Sequence, residues 1–561
     1  MKKRLLAVTA GFAVLAAACT GGGGGNGATA TDGTGGTQAA SILTVGLFQE
    51  PDNLNPFLAV QTASQVVREL ALEGLVDADA QGNYVPQLAT EVPSVENGGI
   101  TNDGKTITYN LQPGVTWSDG DPFTSADVKF TWQAVMNPDN AVNTQTGYDQ
   151  IASIDTPDDN TVVVNFKQLY APALSLFSIP DAVLPAHVLE GQAMANADFN
   201  RTPEGTGPFM VTQWKSGDSI VLDRNPNFRM QGMPSIDRIV FKIIPSREVG
   251  VAQIRSGEID VLWNLAESDI PTFQNMPGVS IQTVPSPNVE YLGLNLASGT
   301  DASKPHPILG DPLVREAIAT AIDRQPIVEQ LLYGMTKVAT SPINLGWAAP
   351  QGLSFPAYDP AKAQSLLEQA GWTDTDGDGI REKSGTKLSL DITAPAGDQL
   401  RELTEQILQE QLKAVGIQLN IKNKPAATLF GTWEENGTLK KGTYDIVLDT
   451  WGPDLDPDAF MSLLFSSDQI PTAQNGGEGF NFLRLQDPQL DRAIVKARST
   501  LDLAERQRWY TVASKEILSS IAYLPLYQRA EINAFGSRVT GNSPNPWDGL
   551  TWNAMEWQLQ S

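Results

Sequence analysis

The sequence predicts a mixed α/β protein built as two unlike lobes. Helix–glycine–strand units mark the second half: the pattern Leu400, Leu403, Ile407 and Val415 ends at Gly416, before the alternating Ile417, Leu419 and Ile421. The first half is richer in strands and turns. At roughly 150 residues per domain, 561 residues leave room for two to four domains.

Lys2, Lys3 and Arg4 precede an apolar stretch from Leu5 to Ala18, the layout of a secretory signal peptide over residues 1–18. Ala16, Ala17 and Ala18 stand directly before Cys19, the only cysteine. This resembles a bacterial lipobox, with Cys19 as the lipidated first residue of the mature chain. From Thr20 to Ala40 the chain is Gly, Thr, Ala and Ser with almost nothing large and apolar, so residues 19–40 read as a flexible, lipid-anchored leash. Such a coil spans about 25 Å root-mean-square. Removing residues 1–18 takes the formal charge from −26 to −29. A body so negative has no electrostatic reason to lie on an anionic bilayer, leaving the lipid as the membrane contact.

The folded body begins near Ser41. Ser41–Phe48, Ile107–Leu111, Thr161–Phe166, Ile220–Leu222 and Ile239–Ile244 read as strands. Thr124 with Asp127 forms a capping-box pattern opening a helix over Ser125–Met136. Leu313, Val314, Ala317, Ile318, Ala321 and Ile322 repeat at helical spacing, and Pro326 starts another helix that Gly334 stops. Asp359-Pro360 caps a helix carrying Ala363, Leu366, Leu367 and Ala370. Tyr444–Thr450 is strand-like, and Ala459–Phe465 helical.

Composition excludes several functions. The charge of −26 repels phosphate backbones, so nucleic acid is not a partner. One Cys and two His exclude a Cys/His zinc cage and an intrachain disulfide, and make nickel a poor fit. No second apolar run approaches the roughly 20 residues that cross a bilayer. GxSxG, HExxH and CxxC are absent. Gly99, Gly104, Lys105 and Thr106 spell the phosphate-loop pattern, but an alternating run follows where a helix is needed, so it reads as a hairpin. Asp374, Asp376 and Asp378 with Gly379 resemble the opening of a calcium loop. Position twelve is Gly385 rather than Glu, and an Asp-rich helix exit is the competing reading. His187 sits beside apolar residues, His306 in a Pro-flanked loop, and Glu434–Glu435 on a surface segment. No cofactor and no catalytic residue is expected.

Several ordered motifs carry a family resemblance. They are Asn53-Leu54-Asn55-Pro56, Tyr84 to Ala89, Asp103 to Leu111, Val115 to Val128, Gly205 to Phe209, Arg224-Asn225-Pro226, Val314 to Arg324 and Leu524 to Tyr527. Together they resemble the family 5 extracellular solute-binding proteins, receptors of ABC importers for dipeptides, oligopeptides and nickel. The resemblance implies a two-lobed, type II periplasmic-binding-protein-like fold with an extra subdomain and a hinge. Lobe 1 would comprise residues 41–294 and 526–561, with a subdomain over about 57–205, and lobe 2 residues 295–525. It implies a monomeric, extracytoplasmic receptor that is periplasmic or lipid-anchored to the outer face of the cell membrane. Such a receptor captures short peptides and hands them to a permease. It is not an enzyme.

Residue by residue, the resemblance places Trp451 and Asp454 in a cleft, with Asp454 anchoring the ligand amine and Asp456 as its substitute. Val60, Gln61 and Thr62 would pair with ligand backbone. Trp433 falls near a pocket Trp, and Lys440 near a basic residue that meets the ligand carboxylate, whereas Leu448 stands where those receptors carry an Arg. Tyr291 and Trp263 lie near cleft segments, where core packing accounts for them equally well. Twelve Trp residues also suit stacking on sugars, so an oligosaccharide receptor of the same family is the alternative. An extracytoplasmic hydrolase on the same scaffold is the alternative of a different class.

Overall fold

Two strands of unusual length, Val279–Leu294 and Tyr523–Gly536, organise the molecule. They have 16 and 14 residues, against the roughly 5–6 usual for a strand. The computed structural model describes residues 40–178 and 180–560. The expected signal peptide, Cys19 and nearly all of the leash therefore lie outside the described residues.

The long strands pair antiparallel at the centre of a ten-stranded sheet. On one side follow Val261–Leu262, Ile42–Leu47, Arg238–Ile243, Ser219–Arg224 and Phe209–Lys215. On the other follow Ile446–Trp451, Ser389–Thr393 and Gln418–Ile421. Ile42–Leu47 runs parallel to both of its neighbours, and Ser389–Thr393 does the same in the second half. The apolar cores divide accordingly. Leu43, Val45, Ile220, Ile239 and Phe241 belong to one, and Leu292, Leu390, Leu408, Leu419 and Leu448 to another. The two long strands are the covalent crossings between the lobes.

Within the crossing the ladder is broken. The register slips between Pro285 and Val289, leaving Ser286, Pro287 and Asn288 outside the pairing. Proline has no N–H to give a ladder, so a bulge forms where two prolines fall two residues apart. The side chain of Gln528 spans the gap by donating to the Ser286 carbonyl at 2.9 Å.

The subdomain is a separate four-stranded sheet in the order Ile100–Thr101, Thr106–Asn110, Thr161–Phe166, Ile151–Asp158, with helix Ser125–Met136 against it. The phosphate-loop pattern is a hairpin, Ile100 facing Ile107 and Thr101 facing Thr106. The capped helix opens as its sequence requires: the Asp127 carboxylate accepts from the Thr124 amide at 2.8 Å and from the Ala186 amide at 2.9 Å. Helices Pro312–Ala321, Pro360–Gln369 and Gln399–Lys413 match their periodicity. The helix expected to run to Gly334 ends at Gln330, and Gly334 closes the next turn by donating to the Val328 carbonyl.

Candidate functional site: the chamber between the lobes

Strand Ile446–Trp451 pairs with Val279–Leu294 so that Trp451 faces Val289, at the edge of the bulge. The next residue must be glycine: a Cβ at Gly452 would stand 2.6 Å from the Pro287 carbonyl oxygen and from Asn288 Cα. Pro453 then prevents the strand from continuing. This turn delivers Asp454 to the space between the lobes.

A chamber of about 370 Å³ lies there, within the roughly 300–1,000 Å³ of small-solute sites. Lobe 1 contributes Asp77, Tyr84, Thr146 and Asp181, the bulge Pro287, lobe 2 Asp454, and the C-terminal segment Trp547. A second space of about 510 Å³ shares Thr146, Tyr170, Ala459 and Leu463 with it and continues to Asp149 and Arg498. At one edge the lobes touch: a Cβ at Gly104 would stand 2.7 Å from Leu501 Cδ1.

Asp454 is open to the chamber, and no side chain or amide among the described residues bonds to its carboxylate. It is nevertheless so enclosed by protein that desolvation raises its pKa, helped by the charge of Asp456. Asp456 is not free to substitute. Its two oxygens accept from Arg506 at 2.7 and 2.8 Å, both partners are buried, and Oδ1 also accepts the Asp458 amide at 3.1 Å. Asp181 is pushed up to about 6 by burial, against the Tyr148 hydroxyl that donates to it at 2.9 Å. Asp77 is pushed up to about 8 by burial, with the charges of Asp548 and Glu73 adding.

A larger hollow of about 770 Å³ beside the hinge is walled by Arg247, Glu267, Gln330, Asp398 and Arg529. Its guanidinium groups already have carboxylates: Arg247 meets Asp269 at 2.8 Å and Arg529 meets Glu290 at 3.5 Å. The chamber, where Asp77, Asp181 and Asp454 have no ion-pair partner among the described residues, is the better binding site.

The remaining expected residues fall into three groups. Trp451, Lys440 and Trp433 converge on the loop Gly477–Phe482, whose role the sequence did not reveal. The Trp451 and Phe480 rings meet edge-on at 5.7 Å. Lys440 Nζ lies 4.6 Å from the Phe480 centroid and donates to the Gly479 carbonyl. Lys441 Nζ lies 3.7 Å from the Trp433 ring, which packs on Gly477. Val60, Gln61 and Thr62 precede or open helix Thr62–Arg68. Val60 is 75 % exposed with its amide donating to Asp52, while Asn143, beside chamber-lining Thr144, holds the Ala59 carbonyl. Gln61 Oε1 is buried without a partner. Trp263 and Tyr291 are corrected to core residues. Trp263 is 2 % exposed within the lobe 1 core, and Tyr291 stacks on Tyr523 at 4.4 Å.

In the Asp-rich turn, Glu382 joins Asp374 and Asp376, and Lys387 Nζ sits against Asp376 and Asp378. An ammonium thus already meets that charge. His187 pairs with Asp119, and His306 with Asp445, both through Nε2.

Two α/β lobes joined by a pair of crossing strands, with a solute-sized chamber between them, define a hinged binding protein. The chain belongs to the bacterial extracellular solute-binding proteins, family 5, whose middle-region profile matches residues 83–472. It is 28 % identical over 575 residues to the oligopeptide-binding protein AppA of Bacillus subtilis, covering all of both chains. The crystal structure of that AppA with a nonapeptide matches with a TM-score of 0.72 at 26 % identity, over 93 % of this chain and all of that one. NikZ of Campylobacter jejuni, solved with Ni(L-His), matches at 0.74 with 28 % identity, over 92 % of this chain and 99 % of that one. Proteins of this family bind solutes for transport and are not enzymes. Among the described residues no helix is long and apolar enough to cross a membrane.

Proposed function

We propose that the protein is the substrate-binding lipoprotein of an ABC importer, capturing short peptides between its lobes and delivering them to the permease. One observation carries this reading: the unpaired carboxylate of Asp454, held at the chamber wall by the turn after Trp451. The carboxylate is exposed in the open chamber; covering it without a counter-charge would be costly, and a ligand ammonium supplies that charge. AppA, similar along the whole chain, is named for binding oligopeptides. NikZ was solved with the chelate Ni(L-His), so a metal chelate is a comparison ligand of another kind. Trp547 and Tyr170 offer faces on which a sugar could stack, so glycans are the comparison ligands.

Cys19 carries the anchor on the outer face of the membrane, and the receptor works as a monomer. The test is native mass spectrometry of the purified protein with its co-purified ligand, followed by calorimetric titration with that ligand. A bound peptide is expected; a glycan or a metal chelate overturns the reading. Intact-mass measurement of the mature protein checks the anchor, and an N-terminus without diacylglycerol on Cys19 overturns it.

A further inference from the structure

Beyond Asp454, the chamber carries acids that a peptide amine alone does not account for. Asp77 and Asp181 line it from lobe 1, and Asp454 and Asp456 from lobe 2. Glu69 and Asp548 lie directly behind, bonded to the Gly549 amide and to each other. Of these six carboxyl groups, Asp456 pairs with Arg506, and Arg68 lies behind the wall, closest in charge to Glu69 and then to Asp181 and Asp548. No Lys, Arg or His is among the chamber's lining residues. On the chamber wall, Asp77, Asp181 and Asp454 thus have no ion-pair partner among the described residues.

One further group points to a missing ligand. The Tyr84 hydroxyl, on a ring that lines the chamber, is buried and has no hydrogen-bond partner. Buried polar atoms of folded proteins nearly always find partners, so orphaned ones beside a cavity mark where a bound molecule donates. The acids also face one another: Asp181 on lobe 1 and Asp454 on lobe 2 sense each other's charge across the space.

Resting on the peptide reading above, we propose that the chamber selects solutes with two separated positive charges. One is the ammonium that meets Asp454. The second is a cationic side chain that reaches Asp77 and Asp181 on the opposite lobe. The preferred ligand is therefore a short peptide with Lys or Arg among its first residues. A linear polyamine shares the chemistry and is the alternative source. The second cation neutralises lobe 1 against lobe 2, so ligand charge and lobe closure act together.

The experiment is calorimetric titration of the ligand-free protein with Lys-Ala-Ala, Ala-Lys-Ala, Ala-Ala-Ala and spermidine at low ionic strength. At least one Lys tripeptide is expected to bind tenfold or more tighter than Ala-Ala-Ala, and Asp77→Asn and Asp181→Asn each narrow that ratio. Equal affinity for all three peptides overturns the two-charge inference while leaving peptide capture intact. Spermidine binding without peptide binding upholds the two charges and overturns the peptide reading. Binding of none overturns both. Because the first comparison uses the unmodified protein, a variant that fails to fold does not obscure the result.

Discussion

Replacing Asp454 by Asn isolates the amine anchor, because the substitution keeps the shape of the side chain and removes only its charge. No protein group bonds to this carboxylate among the described residues, so nothing in the fold depends on it. Enclosure by protein and the charge of Asp456 disfavour its ionised form, and Asn carries no charge to disfavour. The melting temperature should hold steady or rise. Binding should suffer, since removing one partner of a buried charge pair costs on the order of 2–5 kcal/mol. Asp181 remains to attract the ligand, which puts the loss in the lower part of that range. About 2–3 kcal/mol is roughly a 30- to 150-fold weaker Kd. The assay is titration of wild type and Asp454→Asn with a peptide of the co-purified sequence and its N-acetyl form. Acetylation should weaken binding to the wild type and leave the variant nearly indifferent. If the wild type binds both forms equally, the ammonium does not meet Asp454 and the anchor is elsewhere.

Three other outcomes are expected. Asp181 and Asp77 titrate at about 6 and about 8 in the folded, ligand-free protein, above the 3.8 of a free Asp, so the folded state holds their protons more tightly. Their stabilising contribution is full below about pH 4 and is lost as pH rises through 6 and 8; for Asp181 this is roughly 3 kcal/mol, and Asp77→Asn should flatten the fall in melting temperature between pH 5 and 8.5. Arg506→Met strands the buried Asp456 and should cost about 3–5 kcal/mol in urea unfolding, part of which Asp456→Asn restores. Gly104→Ala, at φ +79° and facing Leu501, should keep the lobes apart at that edge, giving a peptide-bound radius of gyration by X-ray scattering closer to that of the empty protein; Leu501→Ala should reverse this.

The local signals that proved readable are those where chemistry sits within a few residues. Asp127 caps its helix, Asp359 accepts the Lys362 amide, and Gly416 separates helix from strand, each as a sequence neighbour requires. Trp451 and Asp454 stood out through the family resemblance alone, whereas the strand leading to Thr450 was legible in the same way. The hinge strand Val279–Leu294 was not, because Pro285 and Pro287 argue against a strand interior and the bulge that tolerates them is set by its partner. The lobe 1 acids escaped as well. Asp77, Asp181 and Asp548 each lie more than a hundred residues from the next, and a lone Asp reads as solvated surface until folding gathers it. Trp263 and Tyr291 show the converse: an aromatic near the right segment lies in the core or the cleft according to strand register, which a sequence does not display.

The broken register at the crossing and the acidic chamber bear on one another. The bulge from Ser286 to Asn288 removes ladder hydrogen bonds where the lobes pivot, so bending there disturbs little pairing. Pro287, the middle of that bulge, is also chamber wall, and Gly452 packs on it two residues before Asp454. The pivot and the anchor are thus one contiguous structure. With the chamber empty, closing the lobes brings the carboxyl of Asp181 toward that of Asp454, and like charges in a low-dielectric space resist it unless one is protonated. A cation between them turns that resistance into attraction. Closure is then driven by the ligand's charge rather than by apolar contact, and because exposed charge is screened by salt, a neutral solute should leave the lobes less fully shut than a cationic one at the same occupancy.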